Sequence, residues 1–170
     1  KDILINTLHA LNNQKFPKED FEVILINDGC DNLDSSDIEN LNMSIDLKYY
    51  KYERTEKSGS ALARNRGIKR SSGDILIFID CDILVKPDFI FHHHNFFEQF
   101  DSKDSILQIG TRNYLQNGID NLSALECLEK EFHYKDERTA VFKRYSQNMA
   151  CIKGAWHMTL TNNISVSRKT

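Results

Sequence analysis

The chain has 170 residues, of which 40% are hydrophobic, and its 22 basic and 25 acidic residues leave a formal net charge of -3. This length favours a single domain with one core, and the charge balance argues against nucleic acid or anionic membranes as partners. No apolar run approaches the roughly 20 residues that span a bilayer, the first residues lack a signal-peptide pattern, and the four cysteines have neither zinc-site nor disulfide-framework spacing. We therefore expect a cytoplasmic domain with reduced thiols, and a peripheral membrane location of the full-length protein stays open.

Apolar spacing and turn signals predict helices and strands that alternate along the chain. The predicted helices cover residues 3–13, 34–41, 58–70, 88–100 and 122–134, and the predicted strands cover residues 21–27, 45–52, 75–79, 105–110 and a segment near the end. Ser58 and Ser60 are expected to cap the third helix. The all-apolar run Ile75–Ile79 is typical of a strand covered on both faces. The alternation predicts an α/β fold with a mainly parallel central sheet and helices on both faces.

An acidic triplet, Asp80-Cys81-Asp82, directly follows the apolar strand. Ligand sites in open α/β sheets lie beyond the carboxyl ends of the central strands. In an extended conformation both aspartates project to one face, where their oxygens suit Mg²⁺ or Mn²⁺ and, through the metal, a diphosphate. A solvated acidic loop is the alternative interpretation.

Two further segments are candidates for the same sheet edge. Asn27-Asp28-Gly29-Cys30 ends the first strand, where the simpler interpretation is a turn in which Asp28 bonds to its own backbone. Ser58 to Gly67 opens a helix with small residues followed by cations, and helix starts favour anions. A capped, solvated basic helix is an equal alternative for that segment.

Three other features each have a simple structural interpretation. The run His92-His93-His94 is interpreted as a solvated helix face, because consecutive helical positions point about 100° apart and do not converge on a metal. Trp156 and His157 are candidates for an acceptor pocket, with burial as the alternative. The charged stretch from Lys135 to Arg144 is expected at the surface.

Taken in order, these segments resemble family 2 glycosyltransferases of the GT-A fold, a Rossmann-like three-layer sandwich. Asn6 to Phe21 is similar to the family's first helix and the stretch after it, and Ile24 to Cys30 to its strand ending in Asp-Asp-Gly-Ser, although Asn27 and Cys30 replace the usual Asp and Ser. Ser60 to Gly67 resembles its Ala-Arg-Asn-x-Gly helix, and Asp80-Cys81-Asp82 its metal-binding triplet. Two short segments, residues 109–114 and 161–168, loosely resemble bacterial polymerases that make hyaluronan- or chondroitin-type chains.

The resemblance implies an inverting glycosyltransferase that moves a hexose-type sugar from a UDP-sugar to a carbohydrate, lipid-linked or protein acceptor. It implies that Asp28 contacts the uracil or ribose, Arg64 the base and Asp80 the ribose, while Asp82, with Asp80, holds Mn²⁺ or Mg²⁺. It also implies that residues 1–170 are one nucleotide-sugar-binding domain lacking the family's first strand. The segment with the catalytic base is expected beyond Thr170.

Two other functions remain open from the sequence. A non-catalytic nucleotide-binding module, derived from a degenerate transferase, would retain the fold without transferring sugar. A nucleotidyltransferase would share the sheet and the acidic metal site, but its Gly-rich loop would follow a first strand that this sequence does not contain.

Overall fold

The computed structural model describes residues 1–100, 106–115, 132–144 and 159–168. Its helices are α1 (Asp2–Asn12), α2 (Ser35–Glu39), α3 (Ser60–Arg70), α4 (Phe89–Phe97) and α5 (Arg138–Arg144). Its strands are β1 (Glu22–Asp28), β2 (Asp46–Tyr52), β3 (Ile75–Ile79), β4 (Leu107–Ile109), β5 (Asn113–Leu115), β6 (Phe132–Lys135) and β7 (Asn163–Ser167). A single 3-10 turn, Lys18–Asp20, precedes β1.

Most predicted elements are confirmed to within three residues at each end, and β3 coincides with its prediction. The predicted helix 122–134 is the exception. Its residues 122–131 lie outside the described part of the chain, and residues 132–134 belong to a strand, β6. The cap prediction for α3 is also wrong, because its N-cap is Gly59 and the Ser58 hydroxyl instead accepts the N–H of Thr55 at 2.9 Å.

The strands combine parallel and antiparallel pairs. β1 and β2 run parallel, with Asp28 opposite Tyr52 at their carboxyl ends. β7 lies between β3 and β4 and is antiparallel to both, and β5 and β6 form a separate antiparallel pair. The α/β class is confirmed, and the parallel arrangement holds for the β1–β2 pair. Apolar patterns identify β3 and β7 as strands but do not specify their relative direction, which the structure shows to be antiparallel.

Helices cover both faces of β1, as the alternation of its side chains requires. Val23 and Leu25 face a core cluster that contains the buried Leu8 of α1. On the opposite face, Gly67 of α3 lies close to Ile26, where a Cβ at residue 67 would be 3.7 Å from the Ile26 side chain. Burial of a leucine such as Leu8 contributes about 1.5–3 kcal/mol to the stability of the fold. This packing holds the second half of α3 against the carboxyl half of β1.

A cleft of about 810 Å³ separates β1 from β3. The facing sides of both strands line it, together with Leu8 of α1 and Gly67 of α3. All five residues of β3 are only partly buried, and they show no alternation between a covered and an exposed face. The cause is the cleft, since β3 has β7 along one side and open space on the side facing β1.

Two expectations from composition concern the whole chain. Within residues 1–100, 106–115, 132–144 and 159–168, every helix is too short or too polar to cross a bilayer. Of the four cysteines, Cys30 and Cys81 lie in the described part, and both are exposed free thiols.

Candidate functional site

The turn after β1 is closed by the side chain of Asn27 and not by that of Asp28. Asn27 is 5% exposed, its Oδ1 accepts the N–H of Cys30 at 2.7 Å, and its amide nitrogen lies 2.8 Å from both the Cys30 carbonyl and the Tyr49 hydroxyl. Gly29 follows at φ 98°, where a Cβ would lie 2.5 Å from the Cβ of Arg54. Asn27 thus takes the turn-closing role that the simpler interpretation gave to Asp28.

Asp28 points to the opposite face of β1, toward the start of α3. Its Oδ2 accepts the backbone N–H of Gly59 at 2.6 Å, and its Oδ1 pairs with the guanidinium of Arg66. The Asp28 and Arg66 side chains are only 13% and 19% exposed. The end of β1 is therefore tied to the first turns of α3 by a charge-assisted pair and a backbone hydrogen bond, both stronger than neutral contacts.

The end of β3 is tied to the same helix by a second pair. Arg64 Nη2 donates to Asp80 Oδ1 at 2.6 Å, with side chains 24% and 41% exposed. Positions 64 and 66 are two residues apart on a helix and point about 200° apart, which lets one helix reach both strand ends. Both Arg64 and Asp80 line the cleft between β1 and β3.

The acidic triplet forms a turn, not the extended segment from which a common face was argued. Residues 81 and 82 are in turn conformation, and the N–H of Ile83 donates to the Asp80 carbonyl at 3.3 Å. The Asp82 side chain is exposed. Although Cys81 is exposed as a residue, partial desolvation of its sulfur, together with the charge of Asp82, raises the pKa of the thiol, which favours its protonated form.

Helix α1 holds the turn of the acidic triplet by a hydrogen bond. The hydroxyl of Thr7, which is 2% exposed, donates to the Cys81 carbonyl at 3.0 Å. Further along, the Gln14 amide donates to the Lys86 carbonyl at 2.7 Å, and its oxygen accepts the N–H of Ile90 at 3.0 Å. These contacts fix both ends of the segment that follows β3. Sequence reasoning missed Thr7, although a threonine on the apolar face of a helix was a visible signal.

The triplet has donor chemistry suited to a hard divalent cation. Within the described residues, no three His, Cys, Asp or Glu side chains converge into a complete metal-binding group. Mg²⁺ and similar ions are often bound by one or two carboxylates together with substrate phosphates. Asp80 and Asp82 fit that shared kind of site, and they do not fit a cage made by protein alone.

The three consecutive histidines differ in burial. His92 and His94 are exposed, as expected, but His93 is 4% exposed and the prediction is wrong for it. Its Nδ1 lies 2.7 Å from the Ser165 hydroxyl and its Nε2 lies 3.2 Å from Asn163 Oδ1. Burial lowers the pKa of His93, so its ring is neutral at pH 7 and acts as a core hydrogen-bonding group.

The charged stretch near α5 is also more buried than expected. Asp136 and Arg138 are 7% and 8% exposed, and the Arg138 Nε donates to Asp136 Oδ1 at 2.9 Å. Burial raises the pKa of Asp136, but hydrogen bonds from Arg138 and from the N–H of Arg112 outweigh it and lower the pKa overall. Trp156 and His157, the acceptor-side candidates, lie outside the described residues, and their role stays a prediction.

Comparison with curated proteins gives relatives that are much longer than this chain. The hyaluronan synthase of Pasteurella multocida is 30% identical over 135 residues, which cover 74% of this chain and 13% of that protein. The poly(ribitol-phosphate) beta-glucosyltransferase of Bacillus spizizenii is 34% identical over 104 residues, which cover 60% of this chain and 16% of that protein. The chain thus spans less than a fifth of each.

A solved structure and a family model complete the comparison. The structure of Staphylococcus aureus TarS 1–349 in complex with UDP-GlcNAc matches with a TM-score of 0.55 at 19% identity, over 86% of this chain and 44% of that one. This likeness concerns the fold, and it confirms the predicted GT-A architecture. The family model described as glycosyl transferase family 2 matches residues 1–158. The chain therefore belongs to glycosyl transferase family 2.

Proposed function

We propose that residues 1–170 form the nucleotide-sugar-binding domain of an inverting, metal-dependent transferase that moves a hexose-type sugar from a UDP-sugar to an acceptor hydroxyl. One observation carries the proposal: α3 reaches the carboxyl ends of both β1 and β3 through the Asp28–Arg66 and Arg64–Asp80 pairs. Family membership supports the transferase reaction. The complex of TarS with UDP-GlcNAc supports a UDP-sugar as donor.

In this proposal three side chains bind the nucleoside. The Asp28 carboxylate accepts from the uracil or ribose, and its two oxygens have more acceptor sites than Gly59 and Arg66 use. Arg64 has five N–H donors, so it can hold Asp80 and still donate to a carbonyl of the base. The Asp80 carboxylate, 41% exposed, accepts a ribose hydroxyl with its other oxygen.

The proposed metal site is the acidic triplet. Asp82, with Asp80, would hold Mn²⁺ or Mg²⁺, which when bound neutralises charge on the departing diphosphate. The contribution of the chain is to fix that turn, which Thr7 does through the Cys81 carbonyl. A preorganised turn presents its carboxylates without a reorganisation cost when the charge develops.

Acceptor binding and deprotonation are assigned to other parts of the protein. A carboxylate base outside residues 1–170 removes the proton of the acceptor hydroxyl as it attacks the anomeric carbon in line. Trp156 and His157 contribute to the acceptor side, where an aromatic face suits a sugar ring. The acceptor is a carbohydrate, a lipid-linked sugar or a protein, and the enzyme works in the cytoplasm or at the membrane surface facing it.

The cleft between β1 and β3 supports a domain that extends beyond these residues. Its two side walls are strand edges, and α1 and α3 line its faces, so it has the shape that an added strand requires. A strand preceding α1 and parallel to β1 would make α1 the crossover helix of a βαβ unit. We expect β1 and β3 amides to exchange more slowly with solvent in a longer protein than in residues 1–170. Equal exchange would contradict this part of the proposal.

Titration calorimetry with UDP, with and without Mn²⁺, tests the proposed function on this chain. Binding that strengthens with Mn²⁺ supports a transferase donor site. A non-catalytic nucleotide-binding module, which the sequence leaves open, is the second candidate that these titrations separate from a transferase. That module predicts equal UDP affinity in both titrations, and a longer protein that hydrolyses no UDP-sugar.

A further inference from the structure

Arg66 is enclosed more than a cation on a helix surface usually is. One edge of its guanidinium pairs with Asp28, and its face lies over the ring of Tyr52, with 4.0 Å between the guanidinium carbon and the ring centroid. Tyr52 is the register partner of Asp28 on the neighbouring strand. The side chain is therefore held on two sides, by a carboxylate and by an aromatic face.

The ring of Tyr52 is itself fixed from the same helix. Its hydroxyl accepts from Arg70 Nε at 3.2 Å, and the Arg70 guanidinium lies 4.7 Å from the centroid of Tyr50. Positions 66 and 70 share one face of a helix, and positions 50 and 52 share one face of a strand. Two arginines thus stack on two tyrosines, a rigid arrangement that suits the planar guanidinium and not an ammonium group.

Rigidity at Arg66 is transmitted to the Asp28 carboxylate. Arg66 holds Oδ1 and the Gly59 N–H holds Oδ2, so the plane of the carboxylate is set before any ligand arrives. The remaining acceptor sites of the carboxylate therefore have a fixed direction. A fixed acceptor favours ligands that place a hydrogen-bond donor opposite it. A ligand that places an acceptor there leaves both the carboxylate and the ligand atom without a hydrogen bond.

We propose that Arg66, supported by Tyr52, is a positioning residue that makes Asp28 selective for a uracil nucleotide. The inference rests on the proposed function, in which Asp28 contacts the nucleoside. Uracil has a donor N–H at ring position 3, whereas cytosine has an acceptor there. A carboxylate in one orientation accepts from the first base and repels the second.

The test compares UDP with CDP binding by calorimetry in the presence of Mn²⁺. Arg66→Ala removes both the pair and the stack, and Arg66→Lys keeps the charge but loses the planar face. Tyr52→Leu removes the ring while leaving Arg66 and Asp28 in place. Lys69→Ala is the matched control, because Lys69 is an exposed cation on the same helix.

We expect Arg66→Ala to reduce the ratio of UDP to CDP affinity by at least about tenfold, the value of one lost charge-assisted hydrogen bond. Arg66→Lys and Tyr52→Leu reduce the ratio less, and Lys69→Ala leaves it unchanged. A lower melting temperature with an unchanged ratio in all three site variants would overturn the inference, since a purely structural role affects stability alone.

Asp28→Asn separates this inference from the function on which it rests. If that variant keeps the wild-type UDP affinity and base preference, the assignment of Asp28 to the nucleoside fails, and the role of Arg66 fails with it. If Asp28→Asn loses selectivity while Arg66→Ala keeps it, the proposed function stands and only the positioning role of Arg66 is refuted.

Discussion

The carboxyl ends of β1 and β3 carry the same chemistry in different surroundings. Each has an aspartate paired with an arginine of α3, but the Asp28–Arg66 side chains are 13% and 19% exposed, whereas those of Asp80 and Arg64 are 41% and 24% exposed. The first pair is also tied to Gly59 and stacked on Tyr52. An enclosed pair contributes rigidity, and an exposed pair can be shared with a ligand at little cost. In the proposed function, the enclosed pair at the end of β1 serves recognition of the nucleoside, and the more exposed pair at the end of β3 lies beside the turn proposed to bind the metal.

Removal of each aspartate in turn gives the largest expected contrast. Asp28→Ala leaves Arg66 half-enclosed without its carboxylate, and we expect the free energy of unfolding to fall by about 2–3 kcal/mol. Asp80→Ala removes a more exposed pair and should cost less than about 1 kcal/mol. Urea denaturation of both variants measures the difference. Equal losses would contradict the division between an enclosed and an open end.

Asn27→Asp tests why the end of β1 departs from the family pattern. The buried amide donates toward the carbonyls of Cys30 and Leu33, and a carboxylate there would place acceptors against acceptors. We expect a loss of about 1–2 kcal/mol, measured by the shift in the urea midpoint. Cys30→Ser, at an exposed position in the same turn, is the control that should change little. A variant as stable as the wild type would show that the turn does not depend on the amide.

At the amino ends of β1 and β3, the carboxylate of Glu22 in β1 accepts a hydrogen bond from Ser72, which precedes β3. Burial raises the pKa of Glu22, but hydrogen bonds from Lys48 and Ser72 outweigh it and lower the pKa from 4.5 to about 2. A lowered folded-state pKa stabilises the fold above the unfolded value and loses that contribution as the pH falls toward 2. We expect the free energy of unfolding to fall between pH 4.5 and 2 more steeply in the wild type than in Glu22→Gln. Parallel pH profiles would contradict this.

Thr7→Val gives the smallest expected effect, at the β3 end. Valine keeps the shape but leaves the Cys81 carbonyl without its donor, for a cost of about 1 kcal/mol. The same variant should weaken Mn²⁺-dependent UDP binding several-fold, because the turn that bears Asp82 is less fixed. Thr7→Ser retains the hydroxyl and should restore that binding. Failure of serine to restore it would show that packing, rather than the hydrogen bond, is what Thr7 provides.

The sequence was sufficient to locate the strand ends but not to assign their partners. The apolar runs and the residues after them placed Asp28 and Asp80 correctly at the carboxyl ends of two strands, because that pattern is local. Which arginine reaches which aspartate depends on the rotation of α3 against the sheet. The structure pairs Asp28 with Arg66, a residue that the motif did not single out.

Other differences also come from contacts between distant parts of the chain. His93 is buried because Ser165, 72 residues later, lies against it, and no helical pattern signals a partner on a remote strand. Asp136 and Arg138 are buried because each satisfies the other's charge. The sequence also does not indicate that β3 is only partly buried, since an apolar run has the same pattern whether its neighbour is a cleft or a strand.

In the proposed function, the turn after β3 holds a cation and, through it, the pyrophosphate of a sugar donor. Calorimetric titration of UDP into Asp82→Ala, with and without Mn²⁺, tests it most directly, with Glu39→Ala as an exposed acidic control on α2. We predict that Mn²⁺ strengthens UDP binding by the wild type and by Glu39→Ala, and that Asp82→Ala folds normally but loses this enhancement. A Mn²⁺ enhancement of wild-type size in the Asp82→Ala protein would contradict the claim.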